Sequence, residues 1–211
     1  MHMCGHFFVI TDESTKIGSF NLPNRTVVIV MTVLQSAVLM VSLAQHVYSL
    51  LHVNSIFDCH FNASLSPPSN DLFMTVDVVV YDYGFFHLLL GTEKCVANYL
   101  DGGYMRFTWC LMHAISQLLV FRVACGNAVL PLLMQPAVFM QSIYSLGLII
   151  LALATIPQLL SAFIDAFTAN LVYLTAIYYS GTAANWFFTF VLWHYFWNIK
   201  KTKKLLRGSP V

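Results

Sequence analysis

Long apolar runs dominate the chain. The first is Val27 to Val53, VVIVMTVLQSAVLMVSLAQHVYSLLHV, which holds no charged residue. Its most polar members are Gln35, Gln45, His46 and His52. A helix needs about 20 mainly apolar residues to cross the hydrocarbon core of a bilayer, so this run predicts a tilted span. It starts 26 residues into the chain and is longer than a cleaved leader's apolar stretch; it reads as an uncleaved signal anchor.

The second run is 107–126, FTWCLMHAISQLLVFRVACG, with Arg122 near its end. The third is 130–156, with Pro131 and Pro136 near its start and Pro157 marking its far end. Proline is tolerated at a helix start, where its missing N–H has no partner within the helix. The fourth is 167–197. It closes on Trp186, Trp193, Tyr195, Phe196 and Trp197, followed by Lys200, Lys201, Lys203 and Lys204. Interfacial aromatics ahead of a lysine cluster are the pattern of a helix leaving the bilayer on its cytoplasmic side. Trp193, Trp197 and the four lysines are therefore expected to anchor that interface.

Residues 72–91, LFMTVDVVVYDYGFFHLLLG, are long enough to span but carry Asp77 and Asp82. Insertion scales assign about 2.5–3.5 kcal/mol to each aspartate at a span's centre. The β-branched and tyrosine residues of 75–83 favour a strand. The segment is expected outside the membrane, as a strand followed by a short helix; a fifth span is the alternative.

Four spans put both termini on one side, and Lys200, Lys201, Lys203, Lys204 and Arg207 make that side cytoplasmic. Lys16 and Arg25 then flank the first span on the inside, and Arg106 is the one base that disagrees. The expected organisation is a cytoplasmic segment 1–26, spans at 27–53, 107–126, 130–156 and 167–197, an outer loop 54–106 and a basic tail 198–211. That outer loop has six acids against two bases, Lys94 and Arg106. It also holds the sequon Asn62-Ala63-Ser64, so Asn62 is the expected glycosylation position. A second sequon, Asn24-Arg25-Thr26, lies on the cytoplasmic side hard against the first span and is discounted.

Composition agrees. Of 211 residues 58% are hydrophobic and 9% charged, whereas soluble domains carry about a quarter charged. A net charge of +1 offers no general attraction for phosphate backbones, and no nucleic-acid partner is expected. The lipid bilayer is the first partner, with a membrane-protein partner or a second copy as the next. The location is the plasma membrane or an endomembrane.

Five cysteines are too few for a disulfide scaffold. Cys59 and Cys95 share the outer loop, where an oxidising compartment permits a bond, and their pairing is expected. Free thiols, or pairing with Cys110, are the alternatives. His46, His113 and His194 lie within spans, but at depths that argue against one metal or haem site. Interhelical hydrogen bonding is the commoner use of such residues. The terminal run His2-Met3-Cys4-Gly5-His6 is read as a frayed end rather than a metal site. No cofactor is expected.

Ala176, Ser180 and Ala184 recur every fourth residue in the fourth span, with Gly181 beside them. Small residues let helix backbones approach closely. The four are expected to form a packing face, within the bundle or towards a partner.

The layout of short inner N-terminus, long cysteine-containing first outer loop, short second outer loop and basic inner tail resembles the plan shared by claudin-like and other tetraspan proteins. The likeness covers the whole chain as layout only. The first loop has no Trp, its cysteines are 36 positions apart, and the tetraspanin Cys-Cys-Gly motif is absent. No family residues are carried over.

The expected fold is thus an all-α integral membrane protein, a four-helix transmembrane bundle with a long outer first loop containing a short strand. The expected function is non-enzymatic: a scaffold, adhesion component or accessory subunit acting through protein contacts. A small channel or transporter is the alternative, and an intramembrane enzyme the third reading. A pore needs a polar lining stripe and an enzyme needs convergent polar groups; a scaffold needs neither.

Overall fold

The computed structural model describes residues 8–52, 104–126, 129–165, 169–206 and 208. They form a small antiparallel sheet and four long helices: β1 (Phe8–Ile10), β2 (Ser14–Ile17), β3 (Phe20–Pro23), α1 (Asn24–His52), α2 (Tyr104–Cys125), α3 (Pro131–Asp165) and α4 (Ala169–Leu206). The protein is mostly helical. Among the described residues three helices are long and apolar enough to cross a membrane, within Asn24–Ala44, Phe107–Cys125 and Pro131–Ile164. The fourth expected span is not among them. Asn170, Ser180, Gly181, Thr182, Asn185 and three tyrosines dilute the first half of α4.

The sheet is the element that the apolar runs do not foretell. Its order is β1-β2-β3. Phe8 pairs with Ile17, Ile10 with Thr15, and Ile17 with Phe20. The last pairing leaves a two-residue turn, Gly18-Ser19, in which Gly18 takes a φ of 59°, a region that strains any residue with a Cβ. The first turn is closed by Thr11, whose hydroxyl donates to the carbonyl of Ser14 at 2.8 Å and accepts from its N–H at 3.1 Å.

Asn24 joins the sheet to α1. It is fully buried. Its Nδ2 donates to the carbonyls of Thr11 (2.7 Å) and Asp12 (3.2 Å), and its Oδ1 accepts from the Thr15 hydroxyl at 2.6 Å. Asparagine is a favoured residue at helix starts, and here its amide also fixes the chain that enters the helix. A glycan on Nδ2 would replace one of its two N–H donors and so displace at least one of the bonds to Thr11 and Asp12.

Pro131 opens α3, as expected of a proline at a helix start. The helix then runs through Pro136 and Pro157 to Asp165, beyond the end that Pro157 suggests. Pro157 is exposed, and proline within an apolar helix is tolerated when nearby groups re-satisfy the freed carbonyl.

The chain divides into two compact units. The first comprises Met1–Ser36, Ile115–Ser145 and Ala184–Val211; the second comprises Ala37–Ala114 and Leu146–Ala183. In the first unit Val27, Val28, Val120, Val123, Ala124, Met134, Ala137, Val138, Phe188, Val191 and Leu192 pack together with Tyr195 and Phe196. The start of α1 meets the end of α2 there. Arg25 donates from Nε to the carbonyl of Ala124 at 2.6 Å and from Nη2 to that of Cys125 at 3.4 Å, satisfying carbonyls that a helix end leaves open. In the second unit α1 and α2 meet again, with Ser42 Oγ 3.7 Å from Cys110 Sγ and His46 edge-on to Phe107 at 6.4 Å between ring centroids.

Candidate functional site

Each helix carries one amide side chain to a common point inside the first unit. Gln35 of α1, Gln117 of α2, Gln141 of α3 and Asn185 of α4 are all buried. Gln117 Nε2 donates to Gln35 Oε1 at 2.7 Å. Gln35 Nε2 lies 3.1 Å from Asn185 Oδ1 and 3.4 Å from Gln141 Oε1. Gln141 Nε2 donates to Asn185 Oδ1 at 3.2 Å. The Asn185 carbonyl oxygen is thus a shared acceptor, using both lone pairs.

A second layer extends the cluster along α3 and α4. The Thr189 hydroxyl donates to the backbone carbonyl of Asn185 at 2.7 Å, and Ser145 Oγ lies 2.6 Å from Thr189 Oγ1. The indole N–H of Trp186 reaches the Ser145 carbonyl at 3.1 Å. Thr32, one turn before Gln35, is also buried, but its hydroxyl has no hydrogen-bond partner.

The arrangement is dictated by spacing. On α1 the residues Val28, Thr32, Gln35 and Leu39 are buried at steps of four, three and four, which keeps one helix face inward. Between them Val30, Val33 and Leu34 are exposed. The same inversion recurs on α3, where Gln141 and Ser145 are inside while Phe139, Ile143 and Leu146 are outside. On these stretches the amides and hydroxyls face in beside Val28, Leu39 and Tyr144, while other large apolar groups face out.

The sequence singles out Gln35 but not its three partners. The available signal was at least one amide within each helical run, with Gln45, Gln135 and Asn170 among the competitors; which of them converge depends on packing. Neutral amides donate and accept but carry no charge and hold a proton only weakly, so this cluster is suited to fixing helix register rather than to acid–base work. Among the described residues no three His, Cys, Asp or Glu side chains are grouped as metal ligands.

The other expected positions fall elsewhere. Ala176, Ser180 and Ala184 are exposed on α4 and Gly181 is half-buried. The Ser180 hydroxyl donates to the Ile177 carbonyl of its own helix at 2.9 Å. Trp193 and Trp197 are exposed. Trp193 donates from its indole to Ser142 Oγ at 2.9 Å, and Lys200 Nζ sits over the Trp197 ring at 4.5 Å. Lys203 is half-buried and Lys204 exposed. Lys201 bonds Asp12 in the first turn of the sheet. His46 and His113 are buried in the second unit, while His194 is partly exposed. Arg122 is exposed at the end of α2. Cys59, Cys95, Asn62 and the 72–91 segment lie outside the described residues.

In the first unit, then, helices pack around a hydrogen-bonded amide cluster and turn apolar residues such as Val30, Val33 and Leu118 outward. Residues 7–204 match the model of a family of unknown function, DUF8774, and the chain belongs to that family. No curated protein and no solved structure matches.

Proposed function

We propose that the chain is a four-span membrane protein that acts through lateral contacts with other membrane proteins, as a scaffold or accessory subunit. The observation that carries this reading is the small-residue face of α4. Ala176, Ser180 and Ala184 are exposed, and Ser180 directs its hydroxyl to its own backbone. The face therefore presents a smooth surface on which another helix backbone can settle. Lipid gives helices no hydrophobic reason to associate, so close approach of this kind must supply much of the drive.

Support for the membrane comes from the outward apolar residues. Leu118, Phe139, Ile150, Leu153 and Leu160 are all exposed. A soluble monomer rarely shows large contiguous apolar areas. Support for an even number of crossings comes from helix ends. His46, near the end of α1, touches Phe107, near the start of α2. This contact supports a chain that leaves α1 and enters α2 on one side. With α4 as the fourth span, both termini share a side, and the lysines after Trp197 make it the cytoplasmic one.

One observation favours a second reading, a small channel or transporter. α1 turns Thr32, Gln35, Ser42 and His46 inward in succession, as a lining would. In the first unit, however, the amides bond to one another across the interior, which favours the contact reading.

Substitutions separate the two. Ser180→Leu, which holds a neighbouring helix away, should reduce co-purification of partners or self-assembly in mild detergent by roughly tenfold, the equivalent of about 1.4 kcal/mol. Ser180→Ala keeps the small size and should leave recovery unchanged. Flux through proteoliposomes that Gln35→Leu abolishes, with Ser180→Leu silent, would establish the transport reading instead.

A further inference from the structure

The two units divide the charge very unevenly. The first holds Lys16, Arg25, Arg122, Lys200, Lys201, Lys203, Lys204 and Arg207 against two acids, Asp12 and Glu13. Only Lys94 and Arg106 fall in the second, against seven acids. A net charge near zero for the whole chain hides a strongly basic unit.

That basic unit contains the sheet, and the sheet has two unlike faces. Residues paired across an antiparallel ladder point to the same side, and so do residues two apart along a strand. The pairings Ile10–Thr15–Leu22 and Ile17–Phe20 therefore place Ile10, Thr15, Ile17, Phe20 and Leu22 on one face. Val9, Lys16 and Asn21 lie on the other. Part of the apolar face is already used. Ile10 packs against the core of the first unit, and Thr15 is buried on Asn24. Ile17 is half-buried, but the β3 part is not covered: Phe20 is 72% exposed and Leu22 39% exposed on that edge strand. The face that meets the helix ends thus extends past them, with its aromatic and leucine side chains still turned in the direction of the bundle.

We propose that this sheet is a platform seated on an anionic leaflet. Phe20 and Leu22 enter the boundary between headgroups and acyl chains, and bases of the same unit bind the headgroups. The inference rests on the membrane reading above. Three features select lipid as the occupant. The uncovered patch belongs to the unit whose helices carry outward apolar residues such as Val30 and Val33. The same unit exposes Trp193 and Trp197, and tryptophans concentrate at headgroup level. Its excess of bases complements anionic lipid, each base near the surface adding favourable attraction. Lys16 and Asn21, on the opposite face, remain in water, as the polar side of an interfacial element must.

The test uses the full chain in vesicles of phosphatidylcholine with about a third phosphatidylserine, and in phosphatidylcholine alone. An environment-sensitive fluorescent amino acid is placed singly at Phe20, Asn21 or Leu153, and spin-labelled lipids are the quencher. Leu153, exposed on α3, reports whether the helices are in the bilayer. Phe20 should be quenched roughly twofold or more above Asn21, and the difference should shrink without phosphatidylserine or at high salt. Quenching at Leu153 with Phe20 no better quenched than Asn21 overturns the platform and leaves the membrane reading intact. No quenching at Leu153 overturns the membrane reading itself. Because a label at Phe20 alters the patch, amide exchange of the unmodified protein provides a second measure. Exchange over residues 20–22 should be slower with phosphatidylserine than without; equal exchange overturns the proposal.

Discussion

Nδ1 of His194, deep in the sequence of α4, lies 3.0 Å from Oδ1 of Asp12, in the first turn of the sheet. Lys201, two turns further along α4, bonds the other carboxylate oxygen. One aspartate therefore ties the N-terminal sheet to the last helix, 182 positions away in the chain.

This clasp makes sheet docking depend on pH. Lys201 first, and His194 second, hold the Asp12 carboxyl below its ordinary value of 3.8. A lowered folded-state value means that the folded form favours the ionised carboxylate. The contribution is complete above the ordinary value and is lost as pH falls below it, through the lowered one. Proteolysis of residues 8–23 in detergent should be slow at neutral pH and accelerate only below about pH 3.8. Asp12→Asn should accelerate it at neutral pH and remove that acid step. Lys201→Met should weaken protection more than His194→Ala, because Lys201 is the stronger influence on the carboxyl. An unchanged acid step in Asp12→Asn would assign the step to another group.

The amide cluster predicts coupling between helices far apart in sequence. Asn185 Oδ1 accepts from both Gln35 and Gln141. Asn185→Leu leaves two buried donors without that acceptor, at about 1–3 kcal/mol each in the limit of no rearrangement. Measured interhelical hydrogen bonds in membranes are smaller, averaging about 0.6 and reaching about 1.7 kcal/mol, so a total near 2 kcal/mol is expected. Gln35→Leu with Asn185→Leu should cost less than the two single changes added together, since neither partner is then left alone. Denaturation of the purified protein in mixed detergents would measure the cycle. Strict additivity would mean that the bond contributes nothing.

Much of the helical architecture is visible in the sequence because lipid-length apolar runs are a long-range average, insensitive to any one residue. Ends are harder. α1 begins at Asn24 rather than Val27 because the Asn24 side chain is satisfied by Thr11, Asp12 and Thr15 of the preceding sheet, so a polar residue can open the helix while buried. α3 passes Pro157 because a missing bond in the helix ladder does not oblige the chain to turn. The sheet escapes because strands of three and four residues are too short to establish a period; its signals were Gly18-Ser19 and the alternation Phe20-Asn21-Leu22. The clasp and the amide cluster escape for another reason. Gln35, His194 and Lys201 draw notice only singly and Asp12 and Asn185 draw none, and only packing brings them together. The uneven charge was partly legible, since the basic tail and the acidic 54–106 loop are contiguous in the chain.

The final prediction concerns two buried threonines with opposite expectations. Thr32 on α1 is fully buried and its hydroxyl has no hydrogen-bond partner. Thr189 on α4 is also buried, but its hydroxyl donates to the Asn185 carbonyl and is met by Ser145. Valine has nearly the shape of threonine and no hydroxyl. Replacing an unpartnered buried polar group removes a desolvation cost, whereas replacing a partnered one forfeits its bonds. Thr32→Val should therefore raise resistance to denaturation by up to about 1 kcal/mol, and Thr189→Val should lower it by about the same. Each is measured against the wild-type chain in the same detergent, with helix content checked by circular dichroism. A loss on Thr32→Val equal to that on Thr189→Val would show that the Thr32 hydroxyl is held after all, most simply by water or by the backbone one turn earlier.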